Sequence, residues 1–100
     1  MIVPYQHEQS LPVLDQTTTG QMMELAKRCL KALEVEYHPD GFNVGFNLGR
    51  SAGAGVADHL HLHVVPRWAG DANFLSVLGE TRVMPEELAN TYSRLKKHFL

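Results

Sequence analysis

One cysteine, Cys29, occurs in 100 residues, so no internal disulfide staples this chain. That suits a reducing compartment, and a cytoplasmic protein is the expectation. No apolar run approaches the ~20 residues that a membrane-spanning helix requires, so no membrane partner is expected. The first residues show neither the basic start nor the long apolar core of a secretory signal. Lysine and arginine number nine against eleven aspartates and glutamates, a formal net charge of −2. That balance argues against a nucleic-acid polymer as partner. Internal repeats and low-complexity tracts are also absent. What remains is ordinary globular composition in a length that fits one domain, residues 1–100, with a modest core.

Histidine is where the composition departs from the ordinary. Three of the six fall within five residues, in the run His59-Leu60-His61-Leu62-His63-Val64-Val65. Strict alternation fits a strand, in which side chains two apart share a face. The three imidazoles would line one side at roughly 6.6–7 Å steps, with the leucines and Val64 turned into a core. Imidazole is the side chain whose ordinary titration falls near neutral pH, so such a ledge suits phosphate chemistry or a metal. Zinc is the sharper rival: His-x-His supplies two ligands, and a distant His7 would complete an open site. No second cluster of ligand-like spacing accompanies it, and Cys29 falls in a helical pattern. A merely structural role is the third reading, and the strict interleaving weighs against it.

The rest of the chain reads coarsely. Met1-Ile2-Val3-Pro4 looks like the end of a strand, stopped by a proline that cannot donate to a ladder. Ser10 to Asp15 is a connection in which Leu11, Val13 and Leu14 cover something. Thr17, Thr18 and Thr19 offer N-caps for a helix. Its apolar face is Met22, Ala26, Cys29, Leu30, Leu33 and Tyr37, and it ends before Pro39. Phe42, Val44, Phe46 and Leu48 alternate with Asn43, Gly45 and Asn47 as a half-buried strand. A loop rich in small residues, 49–58, leads to the histidine strand, which runs to Pro66. The two strands should pair as an antiparallel hairpin with matched apolar faces. In the expected register Asn47 opposes His59 and Gly45 opposes His61. Arg67 to Asp71 forms a polar turn, and 73–83 gives no clear signal. Pro85 suits the first position of a closing helix, with Glu86 and Glu87 at its start and Lys96, Lys97 and His98 at its end. Its buried stripe would be Leu88, Tyr92, Leu95 and Phe99, with the terminal charges simply solvated.

The run at 59–65 matches the His-φ-His-φ-His-φ-φ signature of the histidine triad, or HIT, superfamily. The match extends outward. Val3-Pro4-Tyr5-Gln6-His7 resembles the family's strand exit with its fourth histidine. The stretch 41–49 resembles the strand before the triad, and Ala52-Gly53-Ala54-Gly55 the small-residue loop. Val65-Pro66-Arg67-Trp68-Ala69-Gly70-Asp71 resembles the stretch after it. Asp71-Ala72-Asn73-Phe74 and the closing helix are most similar to the bacterial branch related to diadenosine tetraphosphate hydrolases and phosphorylases. The resemblance implies an α+β fold, an antiparallel sheet with helices packed on it. Family members usually carry several dozen more residues before the strand that Met1 enters, so the expectation is a partial domain lacking a helix and the first strands. Such a domain would bare apolar surface and a sheet edge, which favours the homodimer common in the family.

The implied chemistry is attack on a nucleotide's α-phosphorus, with dinucleoside polyphosphates as substrates. By the family pattern His61 is the nucleophile and forms a nucleotidyl-histidine intermediate, splitting one displacement into two. His59 and His63 would bind phosphate oxygens or move a proton to the leaving group, and His7 would orient the cluster. Asn47 would donate an amide N–H to phosphate, with backbone amides near Gly53 and Gly55 adding donors. Arg67 would hold a polyphosphate through its planar guanidinium. No cofactor is implied as obligatory, though Mg²⁺ is compatible with the nucleotide. Two alternatives stay open: an inactive nucleotide-binding remnant, and a metal-binding protein built on the ledge.

Overall fold

Asp15 opens the first helix. Its carboxylate accepts a hydrogen bond from the Thr18 N–H at 2.7 Å, which satisfies one of the amides that a helix start leaves without a partner. Helix α1 then runs Gln16–Tyr37 in the computed structural model, which describes residues 1–53, 59–71 and 86–99. The cap is therefore Asp15 and not one of the threonines. Thr17, Thr18 and Thr19 sit inside the first turn, where the Thr19 hydroxyl donates back to the carbonyls of Asp15 and Gln16. The stop is where Pro39 requires it. Tyr37 is the last helical residue, and His38 closes the helix in the left-handed region at φ 47°, its N–H on the Glu34 carbonyl. Met22, Ala26, Ala32 and Leu33 are buried, with Cys29, Leu30 and Tyr37 half-buried beside them.

Strands β1, Gly41–Phe46, and β2, Leu62–Arg67, pair antiparallel. The apolar faces match, so the expected parity holds, but the register is shifted by two residues. Gly45 opposes His63, and Asn43 opposes Val65. The cause lies on the other side of β2. Leu62 exchanges backbone hydrogen bonds with Ile2, both at 2.9 Å, and Leu60 N–H donates to the Glu8 carbonyl at 2.8 Å. Residues 59–61 are thus drawn to the amino-terminal segment while the hairpin ladder begins at Leu62. At its far end β2 continues through Pro66 to Arg67, whose carbonyl accepts from Asp40 N–H at 2.9 Å.

The core gathers Ile2, Leu14, Met22, Ala26, Leu60 and Leu62, with Leu11, Cys29, Phe46 and Val64 packed against it. Each buried leucine side chain contributes on the order of 1.5–3 kcal/mol. Val44 and Leu48, expected on the covered face, are exposed, as is Val13. The arrangement among the described residues is α+β, an antiparallel hairpin with helices against it. No helix among the described residues is long and apolar enough to cross a membrane.

The closing helix α2 spans Leu88–Lys96 with Glu87 as its N-cap. Pro85 and the stretch 73–83 lie outside the described residues. Glu86 and Glu87 precede the helix instead of starting it. Leu88 and Tyr92 are exposed, so the expected apolar stripe reduces to half-buried Leu95 and Phe99. The terminal charges are engaged. Glu36, near the end of α1, takes His98 Nε2 at 2.8 Å, Lys97 Nζ at 3.1 Å and Arg94 Nε at 3.4 Å. Glu86 takes Tyr37 Oη at 2.5 Å, Thr91 Oγ1 at 2.8 Å and Arg94 Nη1 at 2.8 Å. Hydrogen bonds from His98, then Lys97, hold the Glu36 carboxyl down to about 2. Those from Tyr37, then Arg94, do the same for Glu86.

The left-handed turn at His38 generates a test. A side chain there costs energy that glycine escapes. His38→Gly should raise stability by up to about 1 kcal/mol in urea unfolding. A variant less stable than the wild type would show that the imidazole makes a favourable contact at the turn.

Candidate functional site

The histidine ledge starts from two buried leucines. Leu60 and Leu62 are each 3% exposed on the core side, and the alternation of extended backbone turns the odd residues the other way. The ring centroids of His59 and His61 lie 6.0 Å apart, those of His61 and His63 6.3 Å. These steps are slightly under the backbone repeat, and the ring planes are inclined to one another by 38° and 54°. His7 joins the row from the amino-terminal segment, stacked on His59 with centroids 4.8 Å apart. Four imidazoles therefore stand in a line, ordered His7, His59, His61, His63.

The two rings that flank His61 differ. His59 Nε2 lies 2.7 Å from the Pro4 carbonyl oxygen. A carbonyl only accepts, so Nε2 carries a proton, and in the neutral ring Nδ1 then presents the lone pair. Pro4 is buried, which keeps water from competing for that carbonyl. His63 has another environment. Burial, then the Met1 ammonium and His61, pushes its imidazole below the usual value. Pro4 was missed in the sequence because its contribution is a backbone carbonyl, which any residue type possesses.

Around the row, Gly45 faces His63 across the hairpin and leaves that position without a side chain. Asn47, half-buried, follows the last paired residue of β1, Phe46. Gly53 ends a short 3₁₀ turn, Arg50–Ala52, at φ 90°, a left-handed conformation that favours glycine. Gly55 lies outside the described residues. Arg67 shares the histidine face at its far end, and its guanidinium is committed. Nε and Nη2 contact the Asp71 carboxylate at 2.6–3.0 Å, and Nη1 donates to Asn43 Oδ1 at 2.5 Å. Arg67 in turn holds the Asp71 carboxyl below its usual range. The sequence suggested a phosphate-gripping cation. The structure pairs it with a carboxylate four residues on, and that partner was visible only as part of a polar turn.

Chemically, the row offers imidazole nitrogens as nucleophile, hydrogen-bond donors and proton carriers along one line. Among the described residues, no three His, Cys, Asp or Glu side chains converge so as to hold a metal ion.

Comparisons with known proteins follow the same pattern. A family model described as the HIT domain matches residues 1–70. A protein named AP-4-A phosphorylase from Mycobacterium tuberculosis (strain ATCC 25618 / H37Rv) is 43% identical over 91 residues, covering 91% of this chain and 47% of that protein. The chain thus spans about half the length of that relative. A zinc-bound histidine triad family protein from Mycobacterium smegmatis superposes with a TM-score of 0.73 at 30% identity, covering 96% of this chain and 64% of that one. A HIT family protein from Bacillus subtilis gives 0.63 at 25% identity, over 98% and 70%.

The His63 environment predicts a pH effect. With the folded value below the ordinary 6.5, protonation favours the unfolded chain, so stability is kept above pH 6.5 and declines as pH falls through it. The C2 proton of His63 in NMR titration should report a midpoint below 6.5. A midpoint at or above 6.5 would contradict the role given to burial.

Proposed function

The chain belongs to the HIT domain family, and from that premise we propose that it cleaves dinucleoside polyphosphates at an α-phosphorus through a covalent nucleotidyl-histidine. The row of four rings with His61 inside it carries the reading, and the likeness to a protein named AP-4-A phosphorylase narrows it. On that likeness the substrate is diadenosine tetraphosphate and inorganic phosphate is the second acceptor.

A neutral His61 nitrogen attacks the α-phosphorus. The P–N bond forms as the bond to the bridging oxygen breaks, and adenosine triphosphate departs. Phosphate then attacks the adenylyl-histidine and releases adenosine diphosphate and free His61. His59, its Nε2 proton held by the Pro4 carbonyl, offers Nδ1 to a proton or a phosphate hydroxyl. His63, biased toward its neutral form, faces the leaving side without adding charge. His7 buttresses His59 by stacking. Asn47 donates its amide to a phosphate oxygen, and backbone N–H groups near Gly53 and Gly55 share the developing charge. Arg67, neutralised by Asp71, serves by fixing the strand end more than by gripping phosphate. No resident cofactor is required, and the scheme is compatible with Mg²⁺ on the nucleotide's phosphates. The working unit is a homodimer in the cytoplasm.

One observation favours a rival. The chain matches only about half of the named relative, so nucleotide binding without turnover is the second reading. Product analysis separates the two. With diadenosine tetraphosphate and phosphate, the chain should yield adenosine tri- and diphosphate in equal amounts, and His61→Ala should lower kcat by at least about 10³-fold. Binding with no product would establish the rival, and full activity in His61→Ala would remove His61 from the chemistry.

A further inference from the structure

The family match ends at residue 70, whereas α2 begins at Leu88. Its attachment to α1 is largely polar. None of its residues is buried, and Leu88 and Tyr92 face solvent. Its apolar hold is limited to half-buried Leu95 and Phe99. By contrast, its polar contacts converge on two carboxylates. Glu36 is 11% exposed and engages Arg94, Lys97 and His98. Glu86 binds Tyr37 across the gap as well as Thr91 and Arg94 on α2 itself. Arg94 ties the two together: its guanidinium lies 4.1 Å from the Tyr37 ring centroid and also donates to the Glu36 carbonyl. Arg28 adds a contact to the His98 carbonyl at 3.3 Å.

Beneath this attachment is a cavity of about 240 Å³. Val64 and Pro66 of the histidine strand form one wall, Cys29 of α1 a second, and Thr91, Leu95 and Phe99 the cover. We propose that residues 86–99 form a detachable clasp, held by the ionic latch on Glu36 and by the hydrogen bond from the Tyr37 hydroxyl to Glu86, which closes this cavity behind the histidine strand and opens it on release. The inference is independent of the reaction assigned to His61.

Salt separates this from ordinary apolar docking. Ion pairs near the surface weaken as ionic strength rises, whereas burial of apolar surface does not. The chain's single thiol reports the event. Cys29 lines the cavity, and burial pushes its thiol up, which slows reaction with an aromatic disulfide while the clasp is shut. The rate of Cys29 modification is followed at fixed pH in wild type from 0.05 to 1 M NaCl, and in Glu36→Gln at low salt. Hydrogen exchange of β1 and β2 amides is followed in parallel. The expected result is a rate that rises with salt, and about threefold or more in the variant, with strand protection retained. A rate indifferent to salt, or one that rises only as β1 and β2 lose protection, overturns the clasp. The wild-type salt series stands by itself if the variant fails to fold.

Discussion

Leu62 sets the geometry on which everything else depends. Its side chain is in the core, and its backbone pairs with Phe46 on one side and Ile2 on the other. A segment held on both edges cannot rotate about its own axis. A slip by one residue would exchange every leucine for a histidine, driving imidazoles into an apolar interior and leucines into water. That exchange forfeits the burial of Leu60 and Leu62 and desolvates polar rings without partners. The ledge is thus a by-product of core formation.

Neighbours then differentiate identical rings. Pro4 reaches His59 because Ile2, two residues earlier, is anchored to Leu62. His7 reaches the same ring because the segment continues to Glu8, whose carbonyl binds Leu60. His63 lies at the other end, beside Gly45, in a drier setting. One face therefore carries a tautomer-fixed imidazole and a neutral-biased one on either side of His61. Such inequality among like groups is what a reaction needs when one ring must attack and others must handle protons.

What the sequence disclosed was periodic or steric. Alternation at 59–65 identified the ledge, Pro39 ended the helix, and matched apolar faces gave the hairpin parity. The two-residue error in register arose because the competing pairing comes from Ile2 and Glu8, far away in sequence, and acts through backbone groups. Arg67 illustrates a different blind spot. Whether a guanidinium awaits phosphate or rests on a carboxylate is decided by a turn that folds Asp71 back on it. The closing helix was misread for a related reason. Leu88, Tyr92, Leu95 and Phe99 have helical spacing, yet half of that stripe is exposed, while charges assigned to solvent find Glu36 on another helix. Periodicity tells which residues share a face and is silent about what that face meets.

The proposed chemistry requires the ring ordered between His59 and His63 to be the one that reaches phosphorus. Its most direct test is to quench the protein during reaction with nucleotide labelled in the α-phosphate, digest it, and map the acid-labile phosphoramidate by peptide sequencing. Label is expected on His61. Label on His59, His63 or His7 would contradict it.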